Sequence, residues 1–204
     1  MQQELFPGKK EIIPNLLPKD GTVEIFPSFF KKSECDIILP VLIKETQWQQ
    51  DSMKFYGKKV NLPRLTAWYG ETMKKYSYSG IDMNAYPWTE VLLFIKNRIE
   101  KQSGLKFTSV LLNYYRNGND SVSWHRDNEK VLRINPVIAS VSFGATRTFK
   151  FRHVDDHSLV RAVELTNGMY ILMKGETQHK WEHSIPKTSK VAEPRVSLTF
   201  RILF

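Results

Sequence analysis

Two hydrophobic periods divide the chain. Up to residue 104, apolar residues recur at helical spacing in two stretches. The first runs from Ser33, a candidate N-cap, to about Glu45, with Cys35, Ile38, Val41 and Leu42 or Ile43 turned inward. Pro40 lies inside this stretch and is expected to kink or shorten the helix. In the second, Pro87 and Thr89 open the helix, Val91, Leu92, Ile95 and Ile99 form the stripe, and Gly104 follows its end. After Gly104, stretches rich in Val, Ile, Phe and Thr predict strands over 107–115, 121–127, 137–143, 146–153, 162–165, 169–173 and 195–204. Turn residues separate them at Asn117-Gly118-Asn119-Asp120, Phe143-Gly144-Ala145 and Asn167-Gly168. Residues 23–26 read as one more short strand. Strands following two helices predict an α+β chain with a β-sandwich or jelly-roll core. Residues 1–22 carry Pro7, Gly8, Pro14, Pro18 and Gly21 and read as an irregular arm.

Composition narrows the setting. A length of 204 residues suits one domain with a real core, and the 41% hydrophobic and 25% charged fractions are ordinary for a globular chain. No apolar run approaches the roughly 18 residues of a membrane span. The start, Met1 to Pro7, lacks a basic segment followed by an apolar one, so an intracellular, cytoplasmic or nuclear protein is expected. Cys35 is the single cysteine, which rules out an intrachain disulfide and fits a reducing compartment. The net charge of +9 favours polyanions, nucleic acid first and acidic membranes second. The lysine pairs Lys9-Lys10, Lys31-Lys32, Lys58-Lys59 and Lys74-Lys75 contribute to it, although any one pair reads equally well as solvated loop charge.

The most chemical pattern is His125-Arg126-Asp127 with His183 far downstream. Two histidines and one carboxylate are the facial triad of non-haem iron(II) oxygenases, which leave positions open for co-substrate and dioxygen. Residues i and i+2 share a face of a strand, so His125 and Asp127 could grip one ion, with His183 supplied by a later strand. The spacing alone is weak. His153-Val154-Asp155 repeats it, but among charged neighbours that suit a polar hairpin end better than a dry metal site. His179 and His183 compete equally for the distal role.

A second pattern lies in the last strand. Arg195, Ser197, Thr199 and Arg201 share one face, and Val196, Leu198 and Phe200 the other. If the apolar face enters the core, two arginines are drawn into a buried strand, and buried arginine requires an anion. A small dicarboxylate suits a planar guanidinium. Asn113 and Tyr115 share a face of an earlier strand and could donate to the same ligand.

Together these pieces resemble, in order and spacing, the signature of the AlkB dioxygenases, and more narrowly their DNA- and RNA-repair subgroup. Pro63 to Gly70, Tyr76 to Ser79, Tyr115 to Val122 and Ala139 to Arg147 resemble the subgroup's motifs, and the similarity runs from about residue 23 to the end. The resemblance selects His183, which lies in a Trp-x-His-x-x-Pro context with Trp181 and Pro186, and selects His125 by its distance from Asn113 and Tyr115. The family commonly has Asn where this chain has Ser197.

The resemblance implies a double-stranded β-helix (jelly-roll) core over 106–204, N-terminal helices, and a nucleotide-recognition lid at about 50–85, all within one domain over 23–204. It implies iron(II) on His125, Asp127 and His183, 2-oxoglutarate on Asn113, Tyr115, Arg195, Ser197 and Arg201, and dioxygen as the oxidant. Tyr76, Tyr78 and Glu129 are the expected base-pocket residues, and Tyr56, Lys58, Lys59 and Arg64 the expected nucleic-acid contacts. The implied activity is oxidative removal of alkyl groups from bases such as 1-methyladenine and 3-methylcytosine. The partner is then single- or double-stranded DNA, or RNA, met by a monomer without membrane attachment. Rival readings are a same-fold dioxygenase with another substrate, a nucleic-acid-binding module that lost catalysis, and a structural zinc site, the last lacking a fourth ligand.

Overall fold

Alternation along two central strands explains the layering. The computed structural model describes residues 15–55, 58–71, 76–78, 81–83 and 85–204, with the backbone alone at 53–55, 76–78 and 81–83. In order the elements are β1 (Thr22–Phe26), α1 (Lys32–Glu45), β2 (Ser52–Phe55), β3 (Lys58–Asn61), β4 (Leu65–Gly70), β5 (Tyr76–Tyr78), β6 (Ile81–Met83) and α2 (Glu90–Ser103). They continue as β7 (Ser109–Tyr115), β8 (Val122–His125), β9 (Ile138–Gly144), β10 (Arg147–His153), β11 (Val160–Leu165), β12 (Tyr170–Lys174), α3 (Thr177–Lys180), β13 (Trp181–Ile185) and β14 (Arg195–Arg201).

β14 lies between β7 and β9 in a six-stranded sheet ordered β1-β12-β9-β14-β7-β4. Pairing on both sides fixes its register, with Arg195 opposite Tyr115 and Gly144, and Ser197 opposite Asn113 and Ser142. Side chains therefore alternate between two interiors. Val196, Leu198 and Phe200, with Val110 and Leu112 of β7, pack beneath the helices against Ile38, Leu42, Ile95 and Ile99. On the opposite face, Leu111, Tyr115 and Ile171 meet Phe149, Phe151, Leu165 and Ile185 of a four-stranded sheet ordered β11-β10-β13-β8. Helices, large sheet and small sheet stack in that sequence, and the two sheets form a jelly roll.

Helix α2 matches its sequence signals. The Thr89 hydroxyl accepts from Leu92 N–H, and Gly104 closes the helix in the left-handed region at φ 73°. Helix α1 differs from expectation at two points. Its cap is Lys31, not Ser33, and the Glu34 carboxylate accepts from Lys31 N–H at 2.7 Å. Pro40 does not shorten it. Pro40 and Asp36 both face solvent, so the carbonyl that Pro40 cannot satisfy turns to water.

The expected segment boundaries change in three ways. β4, inside the expected lid, is paired along its length with β7 as the edge of the large sheet. β1 pairs with β12, so the core sheet recruits strands from well before residue 106. Of the expected arm, residues 1–14 lie outside the described residues, while Leu17 is buried against the inner core.

The Asn167-Gly168 turn holds helices and sheets together. Gly168 (φ +77°) accepts from Phe30 N–H and donates to the Ser142 carbonyl. A Cβ there would collide with the Phe30 carbonyl and press on Cys35 Sγ. Gly168→Ala should therefore lower stability by more than about 2 kcal/mol, read as an earlier urea midpoint.

Candidate metal and co-substrate site

β8 and β13 run side by side with His125 opposite His183. Their rings meet edge to face, with centroids 4.3 Å apart. Asp127 lies just past the end of β8 and not on it, which modifies the expectation of two ligands from one strand. Gln178 holds it there, its Oε1 accepting from Asp127 N–H at 3.0 Å. One donor atom from each of His125, Asp127 and His183 lies within 4.8 Å of the others.

The surroundings prepare these groups as metal donors. His125 Nδ1–H donates to the Ser123 carbonyl at 2.8 Å, which leaves Nε2 with its lone pair. Burial lowers the His125 pKa, opposed by Asp127. Burial takes His183 down to about 3, aided by the neighbouring His125 and opposed by Asp127. Burial alone would raise Asp127, but Arg201 and then the two histidines outweigh it and hold the carboxyl at about 2. An ion pair of 3.0 Å joins Arg201 to Asp127 Oδ2, both buried. Asp127 Oδ1 and His183 Nδ1 are buried without a hydrogen-bond partner among the described residues. Unprotonated nitrogens and a carboxylate with a spare buried oxygen fit a divalent metal ion.

The competing histidines are structural. His153 is buried, 3.1 Å from Asp20 through Nε2 and edge-on to Trp181, while its Nδ1 accepts from Asp155 N–H. His179 Nε2 accepts from Asn135 N–H.

The triad opens onto a partly enclosed cavity. Leu111, Val122, Phe149, Leu165, Met173 and Ile185 give it an apolar wall; Asn113, Tyr115, Ser140, Ser197 and Thr199 supply polar groups. Three arginines line it, Arg64, Arg195 and Arg201, against one carboxylate, Asp127. Arg195 is 1% exposed. Its Nη2 donates to Ser142 Oγ at 2.8 Å and its Cζ lies 5.1 Å from the Tyr115 ring centroid. Nε and Nη1 find no partner among the described residues. Burial depresses the Arg195 pKa to about 10, which still leaves a cation at neutral pH. A buried cation with two unused donors is a binding site for an anion, and its planar fork fits a carboxylate.

Arg64 is not where it was expected. It is 4% exposed and turned into the cavity instead of outward, its Nε donating to Asn113 Oδ1 at 2.7 Å and its Nη1 to the Ser121 carbonyl at 3.2 Å. Lys58 and Lys59 are exposed on β3, opposite Phe55 and Lys54. Tyr76 and Tyr78 lie on β5, but their side chains, like all of Tyr56, lie outside the described residues. Glu129 is half-buried at the start of the single turn Lys130–Leu132. Sequence reasoning overlooked Gln178 and Ser142. No local pattern marks a glutamine on a four-residue helix, whereas the pairing of β14 with β9 would have pointed to Ser142.

Residues 22–201 match the family model of the 2OG-Fe(II) oxygenase superfamily. The chain is 41% identical over 212 residues to human alpha-ketoglutarate-dependent dioxygenase alkB homolog 3, covering 94% of this chain and 73% of that protein. It is 37% identical over 182 residues to human DNA oxidative demethylase ALKBH2, covering 84% of this chain and 70% of that protein.

The chain belongs to the AlkB family of iron(II)- and 2-oxoglutarate-dependent dioxygenases.

The solved structure of OsALKBH1 shares the fold with a TM-score of 0.59 at 17% identity, over 88% of this chain and 97% of that one. As in that family, the cofactor set is iron(II), 2-oxoglutarate and dioxygen. No helix among the described residues is long and apolar enough to cross a membrane.

The depressed His183 pKa sets a pH dependence. Its value of about 3 in the fold lies below the ordinary 6.5, so between these values the unfolded chain takes up a proton that the folded chain refuses. Stability should therefore fall as pH drops through that window. Melting temperatures of metal-free protein should decline below pH 6.5, and His183→Phe should flatten the decline.

Proposed function

We propose that this chain removes N-linked methyl groups from bases of DNA, with RNA as a further substrate, by oxidation coupled to the conversion of 2-oxoglutarate to succinate and carbon dioxide. The observation that carries the reading is the joining, in one cavity, of a three-donor metal site and a buried arginine with unused donors. The substrate class is supported by the relative named a DNA oxidative demethylase, together with the net charge of +9.

In this reading His125, Asp127 and His183 hold iron(II), which when bound activates dioxygen with 2-oxoglutarate as the source of electrons. Arg195 binds the distal carboxylate, with Tyr115 against it, and Asn113, Ser197 and Arg201 line the rest of the co-substrate's path. Arg201 also keeps Asp127 ionised, and the hydrogen bond to Ser123 keeps Nε2 of His125 unprotonated. The apolar wall would keep water away from the methyl group of a bound base. Oxygen enters one C–H bond of that methyl. The resulting N–CH₂OH group then breaks its C–N bond: the electron pair returns to the base nitrogen, which loses its positive charge, formaldehyde leaves, and the hydroxyl proton is released. The target base must leave any stack to enter, which costs least when it is damaged or single-stranded. Tyr76, Tyr78 and Glu129 are assigned to the base, and Tyr56, Lys58 and Lys59 to the strand that carries it. Arg64 is reassigned from the nucleic-acid surface to the co-substrate wall, where it holds Asn113.

The test uses a single-stranded oligonucleotide with one 3-methylcytosine, supplied with iron(II), 2-oxoglutarate and ascorbate and read by mass. Wild type should remove the mass of one methylene group. His125→Ala should fall to background, and Arg195→Ala should raise the KM for 2-oxoglutarate roughly 10–100-fold. Succinate formation without loss of the methyl group would leave the oxygenase standing and reject the substrate.

A further inference from the structure

A second buried arginine faces the ring that Arg195 faces, from outside the cavity. Arg147 opens β10 and is 2% exposed. Its Cζ lies 5.6 Å from the Tyr115 ring centroid, against 5.1 Å for Arg195. Its Nη1 donates to the Asn117 carbonyl at 3.2 Å, and its Nη2 to the carbonyls of Asp120 at 2.8 Å and Pro186 at 2.7 Å.

The origin of those carbonyls matters. Asn117 and Asp120 belong to the loop that joins β7, the strand of Asn113 and Tyr115, to β8, the strand of His125. Pro186 follows β13, the strand of His183. One guanidinium thus binds the exits of β7 and β13 and the entry to β8, the strands that carry Tyr115, His183 and His125. The Asp120 carboxylate is hydrogen-bonded to Arg116 through both oxygens at 2.8 Å and acts on Arg147 through space, without a hydrogen bond to it among the described residues. Only a planar fork can reach three carbonyls of two loops and still lie against a ring.

We propose that Arg147 is a positioning residue for the distal carboxylate of 2-oxoglutarate. It never touches the co-substrate. It holds the Tyr115 ring toward Arg195 and fixes the two loops at that end of the strands. This rests on the placement of 2-oxoglutarate against Arg195 and Tyr115 given above.

The experiment separates this role from a plain structural tie. Manganese(II)-loaded protein is titrated calorimetrically with 2-oxoglutarate and with 2-oxopentanoate, which shares the keto-acid end but lacks the distal carboxylate. The ratio of the two affinities reports that carboxylate alone. Arg147→Met should reduce the ratio roughly tenfold while 2-oxopentanoate binds as before. Arg147→Lys, which keeps the charge without the planar fork, should fall between. It also serves if the Met variant does not fold. A lower melting temperature with an unchanged ratio would make Arg147 a loop tie and overturn the inference. Arg195→Met distinguishes the underlying reading. If it too leaves the ratio unchanged, the co-substrate placement fails, and the inference with it. If Arg195→Met collapses the ratio and the Arg147 variants do not, the inference alone fails.

Discussion

Buried guanidinium charge is the constraint on which the rest of the structure depends. β14 carries Arg195 and Arg201 on one face and lies between β7 and β9, so neither side chain can turn to water. A charge in that position is tolerated only where an anion or a dense set of acceptors meets it. Arg201 meets Asp127, and this pair keeps a carboxylate ionised beside two histidines whose pKa values burial lowers. Among the described residues Arg195 meets the Ser142 hydroxyl and the Tyr115 side chain, and no carboxylate. The first arginine therefore faces the three candidate metal donors, and the second is the residue we propose for an external dianion. Both consequences come from one strand, because its apolar alternate residues are needed beneath the helices.

This arrangement was legible in the sequence wherever period-two alternation was clean. Arg195 to Arg201 and the Asn113/Tyr115 pair could be assigned to one interior from their spacing, since a strand paired on both sides has two fixed faces. The helix over Glu90–Ser103 was equally legible, because Thr89 and Gly104 are local signals acting on local backbone groups. β4 was not. Five of its six residues are buried, so Leu65 to Gly70 shows no alternation to read. The cap of α1 differs from the expectation because the Glu34 carboxylate accepts from Lys31 N–H, a contact that the serine two positions after Lys31 obscures.

The triad shows where local reading stops. His125-x-Asp127 and His153-x-Asp155 have the same spacing, and only the charged neighbours of the second set them apart as text. What separates them is remote: Asp20, 133 residues from His153, approaches that ring, while His183 and Arg201 approach the other site. Likewise, His179 and His183 differ because a single helical turn ends between them, sending the first toward Asn135 and the second onto β13. Contacts of such sequence separation leave no mark on spacing.

Arg64 joins the two halves of the site. The resemblance grouped it with Lys58 and Lys59 of β3 as an expected nucleic-acid contact. The backbone decides otherwise. Gln50 Nε2 donates to the carbonyls of Leu62 and Arg64, and Ser121 N–H to that of Pro63, which fixes the chain as it passes from β3 to β4. The side chain that follows is aimed inward, and its Nε reaches Asn113. The hairpin assigned to the strand and the wall assigned to the co-substrate are consequently three residues apart on one fixed segment. Asn113 is tied to that segment twice, by the 2.7 Å bond from Arg64 and by the pairing of β4 with β7 that sets Thr66 opposite it.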